Sequence, residues 1–168
     1  MGTLDKAIAI ATRAHFGQRD KAGAPYVLHP LRVMLSLSTP EERIVGVLHD
    51  VVEDTSVTVG ELRAEGFLDD VLAALDAVTK REGEEYMDFV ARAGANPIGK
   101  RVKLADLKDN CDLSRIADPT EKDFARIEKY RLAIGVIEAM PTTTPLAEKP
   151  DAHPRLEAVF ESAPSRRP

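Results

Sequence analysis

Within "GVLHDVVEDT" (46–55), one imidazole and three carboxylates fall in six positions: His49, Asp50, Glu53 and Asp54. Read as a helix over 41–54 with His49 at zero, the segment puts Glu53 at about 40°, Asp50 at about 100° and Asp54 at about 140°. The four polar groups then share one face. Ile44, Val45, Leu48, Val51 and Val52 fall between roughly 200° and 320°, which makes an apolar back for a core. Gly46, at about 60°, lies inside the polar arc, where a missing side chain leaves room for something to approach. Carboxylates crowded together raise one another's pKa unless a cation stands among them. A metal ion, or proton transfer in catalysis, would account for the cluster; a solvated acidic surface is the ordinary alternative.

Two further segments favour the metal. His29 precedes Pro30, and proline suits the first helical position, so His29 is expected at the N-cap of "HPLRVMLSL", free to point sideways. In "KRVKLADLKDNCDL" (100–113), Lys103, Asp106 and Asn110 lie at i, i+3, i+7 on one helical stripe. Asp106 stands between Leu104, Ala105 and Leu107, where an acid is expensive to bury unless paired or bound to a cation. His29, His49, Asp50 and Asp106 would make a mixed imidazole and carboxylate set with open positions. Such a set suits Mn²⁺, Fe²⁺, Co²⁺ or Zn²⁺ better than Ca²⁺.

The elements that must position these groups are helical. Leu4, Ala7, Ile8 and Ala11 repeat at i, i+3, i+4, i+7, and Leu68, Val71, Leu72 and Leu75 form a second stripe. Alternating β-branched runs are nearly absent; "VTVG" (57–60) is the closest and is too short for a strand. The expected class is all-α, a single helical domain of seven to nine helices over 1–140. "GQRDKAGAPYVL" (17–28), with two glycines and a proline, reads as a loop carrying polar groups to a site or to solvent. From 141 to 168 the sequence predicts a proline-rich connector, with four prolines in 141–154, then a short helix "RLEAVFESA" and a loose "PSRRP" tail.

Composition narrows the partners. At 168 residues, 43% apolar and 30% charged, the chain describes one soluble domain. A net charge of -5 offers no global basic field for nucleic acid or an anionic membrane, so any phosphate site must be a local cluster of Lys and Arg. The lone Cys111 excludes an intramolecular disulfide and fits a reducing cytosol. Asp5, Lys6 and Arg13 interrupt the N-terminal apolar pattern, which is therefore no signal-peptide core, and Lys6 replaces the Ser or Thr of a myristoylation signal. No apolar run is long enough to span a bilayer. The expected location is cytoplasmic. Helical proteins of this size often self-associate, and no segment forces or forbids a homo-oligomer.

The ordered trio "DKAGAPYVLHP", "VLHDVVEDT" and "VKLADLKDN" resembles the HD-type hydrolase domain of the RelA/SpoT alarmone enzymes, and the short length resembles the stand-alone small alarmone hydrolases. The match covers roughly residues 1 to 138. It implies Mn²⁺ held by His29, His49, Asp50 and Asp106, with Glu53 and Asp54 as the catalytic acid pair. It also implies removal of pyrophosphate from the ribose 3′ position of (p)ppGpp-type nucleotides, the chemistry of the stringent response. A synthetase domain, which larger members carry downstream, has no room in this length.

Under that resemblance, Lys21 and Lys103 are the best-placed cations for the pyrophosphate. Arg126 and Tyr130, four apart, resemble a family pair that contacts the nucleotide; equally, they read as a surface Arg beside a Tyr completing the stripe of Phe124, Ile127, Ile134 and Ile137. Asn110 matches a nucleotide-touching Asn of the family's third motif. One departure stands out. Members acting on guanosine alarmones show Arg-Lys in the loop, with the Arg stacked on the base, whereas here Asp20 precedes Lys21 and the nearest arginine is Arg19. An aspartate offers no cation for the ring, so a guanosine alarmone, an adenosine alarmone (ppApp) and another phosphorylated nucleotide such as NADPH all stay open. His15 reads as a packed or capping histidine, His153 as exposed, and Cys111 as a buried structural thiol. Two other functions remain in play: a different HD phosphohydrolase, such as a nucleotidase, and a catalytically silent alarmone-binding module.

Overall fold

A computed structural model describes residues 1–141; the expected connector, short helix and tail over 142–168, His153 included, lie outside the described residues. Nine α-helices and one 3-10 turn follow one another, and no strand is found among the described residues. They are α1 (Leu4–Ala14), α2 (Leu28–Leu35), α3 (Pro40–Leu48), α4 (Val51–Asp54), α5 (Val59–Ala64), α6 (Asp69–Val78), α7 (Tyr86–Ala95), α8 (Pro97–Asn110) and α9 (Glu121–Ala139), with the 3-10 turn Leu113–Arg115 before α9. The all-α expectation holds.

Local chemistry sets the starts. Thr39 and Glu42 form a capping box with Pro40 at the first helical position of α3, and Thr58 with Glu61 does the same for α5. The 57–60 segment thus enters a helix rather than a strand. Asn96 accepts the N–H groups of Ile98 and Gly99 to open α8.

The central element is α3, which packs against α1, α2, α6 and α8. Its predicted apolar back is buried: Ile44, Val45 and Leu48, then Val51 of α4, lie in the main core. Each such aliphatic side chain contributes about 1.5–3 kcal/mol by leaving water. A second cluster joins α7, α8 and α9 through Val90, Leu107, Ala133 and Ile137. Two stripe members fall outside the core. Leu68 is 56% exposed because it precedes α6 as its N-cap, and Phe124, in the first turn of α9, is 54% exposed. No helix among the described residues is long and apolar enough to cross a membrane.

Three local expectations are corrected. The 41–54 segment is not one uninterrupted helix: α3 stops at Leu48 and α4 restarts at Val51. His49 Nδ1 lies 2.8 Å from the Gly46 carbonyl, the acceptor that the Asp50 N–H would use in a continuous helix. His29 is not the N-cap of α2. The chain is already helical at Val27, so His29 is the second helical residue and Pro30 the third, where a missing N–H leaves no helical bond unmade. Gly46 does not open toward the polar face. A Cβ there would stand 2.6 Å from Leu37 Cδ1 and 3.3 Å from Met34 Cα, so the glycine lets α3 lie close against α2.

Candidate metal centre

The close approach of α2 and α3 sets His29 and His49 edge to face, with Nε2 atoms 3.3 Å apart. Helix α8 supplies Asp106, whose Oδ1 is 3.3 Å from His29 Nε2 and 3.6 Å from His49 Nε2. Asp50 closes the group, its Oδ2 3.1 Å from His49 Nε2 and 3.6 Å from His29 Nε2. The four residues proposed from sequence as ligands therefore converge, although twenty residues separate the histidines and Asp106 lies on another helix. His29, His49 and Asp106 form a buried trio with ligand atoms within 4.8 Å of one another.

These separations fit an ion. Ligands about 2.1 Å from a metal stand about 3.4 Å apart in a tetrahedron and about 3.0 Å apart at octahedral edges. The 3.1–3.6 Å separations between the two histidines and from each histidine to each carboxylate cover both, with His29, His49 and Asp106 as the mutually close trio. Two imidazoles and two carboxylates form a donor set for Mn²⁺, Fe²⁺, Co²⁺ or Zn²⁺.

Electrostatics follow the crowding. Burial works to raise the Asp106 carboxyl, but Lys103 and then the two histidines outweigh it and hold it well below its ordinary value. Burial likewise disfavours charge on His49, yet Asp50 and Asp106 push its pKa well up. Asp54 is raised, first by burial and then by the Asp50 charge. Tyr26 joins these acids: its hydroxyl donates to Asp50 Oδ2 at 2.5 Å and lies 3.5 Å from Asp54 Oδ2. Burial, then Asp50, raises the Tyr26 pKa, which keeps that proton in place.

The predicted acid pair divides. Asp54 reaches Tyr26, whereas the Glu53 carboxylate accepts the backbone N–H of Lys80 at 2.9 Å. The predicted phosphate cations also divide. A cavity of about 270 Å³ beside His29 is lined by Arg19, Lys21, Asn110, Arg126 and Tyr130. Lys103 instead donates to Asp106 at 2.8 Å, with its ammonium 4.7 Å over the Phe89 ring. Asn110 also donates to Asp106, at 2.5 Å.

The unusual loop residue has a local cause. Asp20 Oδ1 accepts the N–H groups of Ala22 and Ala24, both at 2.9 Å, and so builds the turn. Arg19 donates to the Gly23 carbonyl at 2.7 Å, and Arg126 pairs with Asp123 at 3.0 Å. His15 is buried, its Nδ1 2.8 Å from Gln18 Oε1, and its backbone N–H caps α1, as a packed and capping histidine should; Cys111, expected to be buried, is half-buried because it follows the last turn of α8 as its C-cap.

Four neighbours were not anticipated from sequence: Tyr26, Arg32, Asp109 and Arg115. Tyr26, His29 and Arg32 recur every third residue, and Asp109 follows Asp106 by three. That spacing was the available signal.

No protein-family model matches the chain. A Borreliella burgdorferi protein named guanosine-3′,5′-bis(diphosphate) 3′-pyrophosphohydrolase is 42% identical over 82 residues, 46% of this chain and 12% of that protein. A Myxococcus xanthus protein named GTP pyrophosphokinase is 42% identical over 149 residues, 78% of this chain and 19% of that protein. A solved structure described as a metazoan orthologue of SpoT that hydrolyses ppGpp and plays a role in starvation responses superposes with a TM-score of 0.69. Its identity is 21%, and the match covers 85% of this chain and 89% of the other. This chain is a homologue of the RelA/SpoT enzymes. The RelA/SpoT-type helical fold is shared nearly end to end with the solved structure, whereas the chain spans less than a fifth of the length of the two curated relatives.

Proposed function

We propose that the chain is a Mn²⁺-dependent 3′-pyrophosphohydrolase of (p)ppGpp-type alarmones, with His29, His49, Asp50 and Asp106 as the metal ligands. The observation that carries this reading is the meeting of the two histidine Nε2 atoms, each 3.1–3.6 Å from an Asp50 and an Asp106 carboxylate oxygen, beside a cavity rich in Arg and Lys. The names of the relatives support the reaction class.

When bound, the ion supplies Lewis acidity and lowers the pKa of water. The rest falls to the chain. Arg19, Lys21 and Arg126 line the cavity and meet the phosphate charges; their positive ends also favour the charge that builds on the oxygens during attack. Asn110 and Tyr130 line the same wall and face the nucleoside. Asp54, with its raised pKa and its link to Tyr26, accepts the proton of the attacking water. Glu53, tied to Lys80, fixes the short α4 from which Asp54 projects. Water adds to phosphorus, the bond to the ribose 3′ oxygen breaks, and that oxygen leaves with a proton, giving pyrophosphate and a free 3′ hydroxyl.

Purified chain incubated with Mn²⁺ and ppGpp, ppApp, NADPH or simple mononucleotides tests this. Pyrophosphate release from a tetraphosphate, abolished by Asp54→Ala, is expected. Turnover of NADPH or mononucleotides alone would replace the reading with a different phosphohydrolase. Tight alarmone binding without turnover would make the chain a binding module.

A further inference from the structure

The two histidines face one another through Nε2, and each must present that nitrogen without a proton to ligate an ion. What fixes this differs between them. His49 Nδ1 meets a backbone carbonyl, Gly46 at 2.8 Å. His29 Nδ1 meets a carboxylate, Asp109 Oδ2 at 2.7 Å. That carboxylate is itself clamped. Arg32 donates from Nε to Oδ1 at 2.7 Å and from Nη2 to Oδ2 at 3.0 Å. Arg115 donates from Nη2 to the Asp109 carbonyl at 2.8 Å and reaches Oδ2 at 3.3 Å.

We propose that Asp109 is the positioning residue of the metal centre: gripped by Arg32 and Arg115, it accepts the His29 Nδ1 proton and so turns Nε2 toward the ion. This rests on the metal reading above and adds a carboxylate–histidine–metal relay to it. The geometry has three consequences. An ionised acceptor at Nδ1 obliges that nitrogen to donate, which leaves the Nε2 lone pair for ligation. A two-point Arg32 clamp stops the carboxylate from rotating, so the ring plane of His29 is held as well as its tautomer. Asp106 and Asp109 stand one turn apart on α8, so one helix supplies both a ligand and the group that aims another ligand from α2. Lys103 is paired with Asp106, and Arg32 and Arg115 both with Asp109, whereas Asp50 faces only the two histidines.

The test measures Mn²⁺ binding to the full chain by electron paramagnetic resonance of the free ion. Asp109→Ala is expected to weaken binding about 10–100-fold, and Asp109→Asn, whose amide oxygen still accepts a proton bond, less. Binding by Asp109→Ala within twofold of the unaltered chain would overturn the proposal. A second measurement needs no variant at that position. In the Zn²⁺-loaded chain labelled with ¹⁵N-histidine, and assigned with His29→Gln, the His29 proton is expected on Nδ1; a proton on Nε2 would overturn the proposal. A merely structural Asp109 would lower thermal melting of the metal-free Asp109→Ala protein but leave its Mn²⁺ affinity unchanged. If the unaltered chain binds no Mn²⁺, the metal reading and this one fall together; if it binds and Asp109→Ala matches it, this one falls alone.

Discussion

The hydroxyl of Tyr26 donates to Oδ2 of Asp50 at 2.5 Å. That oxygen is the one facing both histidine Nε2 atoms, so Tyr26 sets its direction. A hydrogen bond to a charged group is worth about 1.5–3 kcal/mol, which corresponds to roughly tenfold or more. Tyr26→Phe should lower kcat for the alarmone about tenfold with KM nearly unchanged, as steady-state assays would read. An unaltered kcat would show that Asp50 needs no such guide.

Asp106→Ala removes more than a proposed ligand. The Lys103 side chain, 13% exposed, would keep its ammonium with its partner gone, and breaking a buried pair costs about 3–5 kcal/mol. The metal-free variant should therefore melt well below the unaltered chain, whereas His49→Gln, which strips no buried lysine, should melt closer to it. Differential scanning calorimetry on both decides this.

Metal addition should report on the same proposed ligands through stability. At a free Mn²⁺ concentration of a hundred times its dissociation constant, the folded state gains about 2.7 kcal/mol, roughly 5–10 °C in Tm for a chain of this size. A chelator should reverse the rise and abolish hydrolysis. Asp106→Ala should show no rise at all.

Acid should loosen a junction outside the centre. Arg92 donates to both carboxylate oxygens of Glu84 at 2.7 Å and to the carbonyls of Asp76 and Thr79, which ties α6 to α7. Arg92, aided by the Arg81 N–H, holds the Glu84 carboxyl down from 4.5 to about 2. A depressed folded-state pKa gives stability that is present above 4.5 and is lost as pH falls toward 2. Melting temperature should drop across that window more steeply in the unaltered chain than in Glu84→Gln. Parallel curves would remove Glu84 from the account.

The opening cluster was legible because helical periodicity alone sorts His49, Asp50, Glu53 and Asp54 from Ile44, Val45 and Leu48, and burial follows that sorting except at His49, which is buried with His29 and Asp106. Asp106 was legible because an acid among leucines demands a partner. What could not be read was side-chain competition for backbone acceptors. His49 reaches the Gly46 carbonyl and ends α3, and Val27 turns helical before Pro30 can mark the start of α2. Lys103 looked like a phosphate ligand because spacing shows which residues share a stripe but not which of them bind one another. Asp109 went unread for a related reason: its value depends on His29, Arg32 and Arg115 arriving from two other segments.

Gly46 has a further consequence. Because its hydrogen stands where a methyl would press on Met34 and Leu37, the gap between the two imidazoles is gauged by an atom that is not there. Enlarging residue 46 would act as a wedge, and the bite of the site would widen by tenths of an ångström with every donor residue kept. Metal choice, which favours larger ions as a chelating cage dilates, becomes something this chain can tune from behind the site without touching a ligand.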